Sequence, residues 1–452
     1  MASRTQPLEH QQPDARPALA DRYRALRALT TALAAPLSDA DATIQSMDDA
    51  SPTKWHLAHV TWFFETFLLR DRVPGYRLFD DRFPFLFNSY YEAEGARIGR
   101  FARGMLSRPA LAEIVAWRAH VDDAMMRLLE RDDSVAALIE LGLAHEQQHQ
   151  ELLQTDIKHA LFQNPLGPAL WDQPSPPELH PRGGGDLGPA QRGFAPARGP
   201  RRRGDAGHGG DAGEAPWLTH PGGIVRIGHD GTHFAFDCEG PRHDVLLQPF
   251  ALSRALVSNA DWLQFIAHGG YRTAALWLSD GWTWVQREGI AAPLYWRQDD
   301  GGWQRFTLTG WQPVDPQAPV THISQYEADA FAAWAGARLP LEAEWEALAA
   351  SHDNGGGVQL DLAGPVDPRA ELQPSLHGNC WQWTRSAYLP YPRFRVADGA
   401  VGEYNGKFMS GQAVLRGSSC ATPRGHSRET YRNFFYPHQR WQFTGLRLAK
   451  DQ

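Results

Sequence analysis

The sequence predicts two domains of different class, an N-terminal four-helix bundle followed by an α+β domain with much irregular, aromatic-stapled structure. Three observations carry this. Helical periodicity dominates the first third of the chain; a Pro-, Gly- and Arg-rich stretch with almost no apolar pattern interrupts it; short alternating segments among many Gly, Pro and Trp follow. With 452 residues the chain can build more than one sizeable core, which excludes a single small module.

Taken in order, residues 1–17 are polar and proline-broken and read as a disordered tail. From Ala18 the pattern turns helical, with Tyr23, Leu26, Leu29 and Leu33 at three-to-four spacing. A second helix is expected from Ser51-Pro52, with Ser as N-cap and Pro at the first helical position, running through Trp55, Leu57, His59, Trp62, Phe63 and Phe67. Two more, near Arg108 to Glu130 and Ser134 to Phe162, complete a bundle over 18–164. Residues 165–216, which contain Gly183-Gly184-Gly185 and Arg201-Arg202-Arg203, read as a linker. The α+β domain spans 217–452, with helices expected only at Asn259 to Ala267, Ser324 to Trp334 and Leu341 to Ala350. Thirteen of the seventeen Trp lie in it, which is why aromatic stapling is expected there.

Composition excludes several functions. Lys plus Arg total 44 against 52 Asp plus Glu, a formal charge of −8, which opposes nucleic-acid binding. Three widely spaced cysteines, Cys238, Cys380 and Cys420, exclude a disulfide scaffold and fit a reducing compartment. The first thirty residues hold no apolar signal core, and no apolar run approaches the roughly 18 residues a membrane span needs. The expectation is a soluble cytoplasmic protein with no membrane partner.

The sharpest chemical signal is His145-Glu146-Gln147-Gln148-His149. Residues i and i+4 of a helix share a face, so both imidazoles can reach one metal. They fall on the apolar stripe Leu138, Leu141, His145, His149, Leu152 and Thr155, hence inward. A lone inward His is usually a satisfied core residue; two at this spacing favour a metal. The same residues match the zinc-protease pattern H-E-x-x-H with Glu146 as general base, but His159 stands off the spacing of a third ligand in that class. A better third ligand lies upstream in Trp55-His56-Leu57-Ala58-His59, where His59 shares a helical face with Trp55, Trp62 and Phe63. Three neutral imidazoles with open positions suit an Fe(II) oxygenase-type centre, and imidazole also suits zinc. Between these helices, Tyr90 and Tyr91 are packing residues or, beside an oxygen-activating metal, donors of a proton or electron. Arg97, Arg100 and Arg103 are a solvated face or a clamp for a carboxylate.

With these segments in hand the chain resembles the sulfoxide synthases of ergothioneine biosynthesis. The resemblance rests on Ser51 to His59, Phe87-Asn88-Ser89-Tyr90-Tyr91, His145 to Asp156, Gly378 to Thr384, Val414 to Pro423 and Thr430 to Phe443. It implies a DinB-like bundle joined to a domain shaped like the formylglycine-generating enzyme, a C-type-lectin-like fold. It also implies an O2-dependent mononuclear Fe(II) enzyme that attaches sulfur to the imidazole C2 of hercynine. The implied iron ligands are His59, His145 and His149. Gln148 and Asn433 would hold hercynine, with Phe434 and Phe435 toward its trimethylammonium, which a ring face attracts. Tyr90 and Tyr91 match a tyrosine pair of which one is the implied proton donor, and Arg100 and Arg103 fall on the donor side.

The chain departs from that pattern. Phe435 occupies the slot that is acidic in relatives using γ-glutamylcysteine. Ile98-Gly99-Arg100-Phe101-Ala102-Arg103-Gly104 replaces the His-Pro-Arg-Pro-Gln-Arg-Gly of cysteine users, and Gly378-Asn379-Cys380-Trp381-Gln382-Trp383 lacks a usual carboxylate. These changes are expected to cluster at the chalcogen donor, with Cys380 marking the divergent segment. The similar selenoneine synthases, which take a selenosugar, fit a loss of charged partners, and the balance leans to a selenium donor over cysteine. The C-terminal half alone suggests a formylglycine-generating enzyme. That chemistry holds copper with a cysteine pair, and here Cys380 and Cys420 are forty residues apart and read as buried, inert thiols. A non-enzymatic bundle fused to a binding module would leave the three histidines without a role.

Overall fold

A computed structural model of the chain describes residues 18–172, 216–351, 356–371, 374–396 and 405–452. The expected tail at 1–17 and linker residues 173–215 lie outside the described residues. The N-terminal part comprises α1 (Leu19–Ala34), α2 (Asp39–Thr43), α3 (Thr53–Phe64), α4 (Phe83–Phe87), α5 (Leu111–Leu129) and α6 (Ala136–Gln163). Helices α1, α3, α5 and α6 pack against one another as the bundle.

Helix α3 is buried along its whole length, as its near-continuous apolar sequence requires, and runs into a π-helical turn at Glu65–Arg70. It starts one residue later than expected, at Thr53. Ser51 does not cap it: Pro52 is extended, and the Ser51 N–H donates to Asp156 Oδ2 at 2.8 Å instead. Helix α5 begins only at Leu111, two residues past Pro109, and α6 follows a 3₁₀ turn at Asp133–Val135.

Residues 165–172, expected within the linker, are fixed on the second domain. The N–H groups of Leu170 and Trp171 donate to Leu308 O at 2.9 and 3.0 Å. Gly167, at φ +56°, lies so close to Trp311 that a Cβ would sit 2.5 Å from its indole nitrogen.

The second part contains β1 (Trp217–His220), β2 (Gly223–Ile227), β3 (His243–Leu247), β4 (Phe250–Ser253), α7 (Asn259–Ala267) and α8 (Ser279–Glu288). After these come β5 (Trp296–Asp299), β6 (Gly302–Thr307), β7 (Gly310–Pro313), α9 (Gln325–Trp334) and α10 (Glu342–Ala349). The chain closes with β8 (Trp381–Ala387), β9 (Ala413–Arg416), β10 (Asn433–Phe435), β11 (Thr444–Gly445) and β12 (Ala449–Asp451). Helix α8, absent from the expected elements, buries only Gly281, Trp284 and Val285, a short stripe in an otherwise polar segment. A Cβ at Gly281 would lie 2.9 Å from the Tyr326 side chain, so close packing on α9 overrides propensity.

Among the described residues, four small sheets, ordered β1-β4-β12, β10-β9-β8-β11, β2-β3 and β5-β6-β7, replace one large one. The β10-β9-β8-β11 sheet positions the site, because β10 runs antiparallel to β9 with Asn433 opposite Leu415 and carries Asn433, Phe434 and Phe435 to the domain boundary. The bundle core is continuous with Tyr295, Phe306, Leu308, Cys420 and Phe443 of the second domain, so the two share buried apolar surface. Among the described residues, no helix is long and apolar enough to cross a membrane.

Candidate metal centre and substrate cavity

One turn of α6 separates His145 from His149, and α3 packs against that face with His59. One ring nitrogen from each lies within 4.8 Å of the others, and all three side chains are buried. Trp55 and Trp62 stack on His59 with centroids 4.6 and 5.4 Å away, fixing its plane. Its Nδ1–H donates to Phe87 O at 2.6 Å, which leaves Nε2 as the lone-pair nitrogen. Burial, joined by neighbouring imidazoles, pushes His59 and His149 well below the ordinary histidine range, and burial brings His145 down to about 4. All three are therefore neutral near pH 7, the form in which imidazole binds metal. His145 Nδ1 is buried with no hydrogen-bond partner, and the donor set contains no carboxylate. Nitrogen donors of this kind fit a borderline divalent ion such as iron or zinc and do not fit calcium or magnesium.

Glu146 is not part of this centre. It points into the bundle, where Arg27 Nη1 reaches Oε2 at 2.9 Å, Arg118 pairs with Oε1, and Thr30 Oγ1 donates at 2.6 Å. Burial opposes its charge, but Arg118 and Arg27 hold the carboxyl down at about 2. A carboxylate saturated by two guanidinium groups cannot take a proton from water at neutral pH. The H-E-x-x-H hydrolase reading is corrected on that ground.

A cavity of about 370 Å³ opens beside the histidines, lined from both domains. His59 and His149 line it, together with Gln148, Asn433, Phe434, Phe435, Tyr90, Arg100 and Arg103. Gln148 Nε2 donates to Tyr431 Oη at 2.8 Å, leaving Oε1 as its available acceptor. Asn433 Oδ1 accepts the Phe434 N–H at 2.8 Å, which leaves its amide N–H₂ for another partner. Phe434 is the middle ring of a stack, 4.1 Å from Tyr388 and 5.8 Å from Phe408, while Phe435 lies against Trp441 at 5.8 Å.

The two tyrosines part company. Tyr90 lines the cavity, its hydroxyl oxygen accepting from Arg100 Nη1 at 3.1 Å and its ring edge-on to Phe408. Tyr91 is packed among Trp62, Phe63 and Phe67 in the bundle core and does not line the cavity. Arg103 stacks on Trp55, 3.4 Å from guanidinium carbon to ring centroid, and donates to Ser51 Oγ and Ser89 Oγ at 2.9 and 3.0 Å. Arg97 instead pairs with Glu92 at 2.7 Å.

Several site residues give no sequence signal of their own. Tyr431, Phe408, Gln412 and Gln439 line the cavity from loops of the second domain, where no periodicity marks them. Glu151 and Asp156 are carboxylates on the buried face of α6. Glu151 accepts from Trp381 Nε1, Ser419 Oγ and Thr422 Oγ1 at 2.5–2.8 Å, clamping the second domain to α6. Asp156, seven residues after His149, shares its helical face; Glu151, two residues after His149, falls on another face and carries no such trace.

The altered Cys380 and Gln382 do not line the cavity. Gln382 is wholly buried, donating to Leu376 O at 2.7 Å and accepting from Trp345 and Arg447 at 2.9 and 3.0 Å, so it replaces a charge inside the domain core. The expected clustering at a donor site is corrected for these two positions; the Arg100–Arg103 segment and Phe435 do sit at the cavity. Cys238, Cys380 and Cys420 are free and buried, and burial pushes the thiols of Cys238 and Cys380 up to about 12. Protonated thiols of this kind do not make a ready copper pair.

Comparison with known proteins agrees with both halves. Residues 22–153 match the DinB superfamily, and residues 214–365 and 374–452 match the sulfatase-modifying factor enzyme 1-like domain. The chain is 31% identical over 473 aligned residues to the hercynine oxygenase of Mycolicibacterium smegmatis, covering 97% of this chain and 99% of that protein. It is also 31% identical to the hercynine oxygenase of Mycolicibacterium thermoresistibile, covering 89% of this chain and 87% of the relative. Similarity to the formylglycine-generating enzyme of Thermomonospora curvata, 36%, is confined to 28% of the chain. Because the match to the two-domain relatives runs through both the histidine helices and the aromatic cavity wall, the chain belongs to the hercynine oxygenase family, the sulfoxide synthases of ergothioneine biosynthesis.

Proposed function

We propose that this protein is an O2-dependent non-haem Fe(II) oxidoreductase that forms a carbon–chalcogen bond at the imidazole C2 of hercynine. The observation that carries this reading is the meeting of three neutral buried histidines with a two-domain cavity whose far wall is aromatic. His59, His145 and His149 would hold the iron, which when bound activates O2 and supplies the oxidising power for the coupling. Gln148 Oε1 and the Asn433 amide, both at the cavity, would hold the polar groups of hercynine. Phe434 and Phe435 belong to the aromatic wall that would lie toward its trimethylammonium, a cation that needs no hydrogen bond. Tyr90 lines the cavity beside the proposed ligands His59 and His149 while Tyr91 does not, so in this reading Tyr90 is the proton donor of the pair.

For the chalcogen donor the preferred reading is a selenosugar, as in a selenoneine synthase. The amides of Asn405, Gln412 and Gln439 line the cavity with the rings of Tyr90 and Phe408, polar and aromatic groups of the kind that hold a sugar. Arg103 spends hydrogen bonds on two serines and Arg100 on Tyr90 and Asp49. A second reading, cysteine as donor, is favoured by the fact that both guanidinium groups nevertheless line the cavity. Protein purified anaerobically with Fe(II) should convert hercynine and O2 to an adduct with a selenosugar, followed by mass. Reaction with cysteine alone would overturn the selenium reading, and no adduct with selenosugar, cysteine or γ-glutamylcysteine would overturn the function. The family is cytoplasmic in this reading, with small molecules as its only partners.

A further inference from the structure

His56 lies one helical turn before His59 on α3, in contact with a proposed ligand but not itself among the three converging histidines. Its Nδ1 is 2.8 Å from Nδ1 of His149, and its Nε2 is 3.1 Å from Asp156 Oδ2. Asp156 also accepts the Ser51 N–H on Oδ2 at 2.8 Å and the Trp441 indole N–H on Oδ1 at 3.0 Å. All of these groups are buried.

Proton positions follow from valence. Three N–H groups converge on the Asp156 carboxylate, which can only accept. The hydrogen of a neutral His56 therefore sits on Nε2, and Nδ1 carries the lone pair. A short contact between two Nδ1 atoms needs one hydrogen, so His149 supplies it and is left with its own lone pair on Nε2. That tautomer is the one in which His149 presents Nε2 as a ligand atom. The relay also crosses the domain boundary, because Trp441 belongs to the second domain.

We propose that His56 and Asp156 are positioning residues that lock His149 in the metal-binding tautomer, and that Trp441 ties this lock to the docking of the second domain. The proposal rests on the three-histidine metal reading above. Carboxylate partners behind a ligating histidine typically contribute about 10- to 100-fold to metal affinity. Here a second imidazole is interposed, and the carboxylate acts through it.

The test uses the full-length protein stripped of metal and titrated anaerobically with Co(II), read by its visible absorption, and with Fe(II) against a chelator. His56→Leu should weaken both affinities about 10- to 100-fold. His56→Gln, whose amide oxygen can still accept from His149, should recover much of the loss. Trp441→Phe, which keeps the ring and deletes the indole N–H, should weaken binding about 3- to 10-fold. Circular dichroism and thermal unfolding of the metal-free variants identify any that fail to fold. Unchanged affinity and an unchanged Co(II) spectrum in folded His56→Leu would overturn the relay; should that variant not fold, unchanged values in both His56→Gln and Trp441→Phe would do so. If the unsubstituted protein binds neither ion, the metal reading itself falls.

Discussion

Helix α6 carries ionisable side chains on two faces, and they meet opposite treatment. On the face turned into the bundle, Glu146 is buried, charged and saturated by Arg27, Arg118 and Thr30. On the face turned to α3 and the second domain, His145 and His149 are equally buried but held neutral, with His145 Nδ1 unpartnered. A buried group whose bonding capacity is filled by the protein serves the fold; a buried group left short of partners is waiting for a ligand. The contrast separates a structural carboxylate from the proposed metal ligands within four residues of one helix.

The largest effect should come from the short-handed face. His149→Ala removes one of three donors and should abolish stoichiometric Fe(II) binding in an anaerobic titration while the far-ultraviolet spectrum stays unchanged. One bound iron per chain in that variant would erase the distinction. On the saturated face, Arg118→Met leaves Glu146 with only Arg27 and Thr30 and should cost about 3 kcal/mol in urea unfolding. Glu146→Gln should still bind Fe(II); a folded variant that does not would place Glu146 in the centre after all.

Acid should act on the two faces differently. The native pKa of His145 is lowered to about 4 from an ordinary value of 6.5, and those of His59 and His149 are lowered in the same direction. Below pH 6.5 the unfolded chain takes up protons that the native site refuses. Stability of the metal-free protein is thus fully present above about pH 6.5 and falls as pH drops toward about 4, by on the order of 3 kcal/mol from His145 alone. Glu146, held at about 2 against an ordinary 4.5, adds its loss only below about pH 4.5, at the acid end of that window. Urea midpoints measured from pH 7 to 4 give the slope, and a flat profile would contradict neutral histidines.

The tyrosine pair repeats the comparison on a smaller scale. Tyr90→Phe should slow product formation about 100-fold, the usual scale for loss of a general acid. Tyr91→Phe should leave the rate within about twofold, since its ring packs against Trp62, Phe63 and Phe67. Equal losses in the two variants would remove the assignment of Tyr90.

What could be read from the sequence divides along the same physical line. His145, His149 and His59 are legible because helical spacing converts directly into shared faces, and the bundle follows from the same period. The partners of Glu146 are not legible, because Arg27 and Arg118 reach it from helices far apart in sequence. Nor does any local pattern tell Tyr90 from Tyr91, since adjacent loop residues diverge by backbone direction alone. The second domain is built of short strands and loops, so its cavity residues Tyr431, Phe408 and Gln439 come together only through tertiary packing. Cys380 and Gln382 teach the reverse lesson: a departure from a family motif in sequence fell in the core of the domain and not at the donor.

The central claim is an oxidative bond-forming step at the imidazole C2 of hercynine. Hercynine deuterated at C2, given with O2 and a chalcogen donor to the iron-loaded protein, tests it most directly. The account predicts an adduct that has lost the C2 deuterium, formed only when His59, His145 and His149 are intact. An adduct that retains the deuterium, or the same product from His149→Ala, would contradict it.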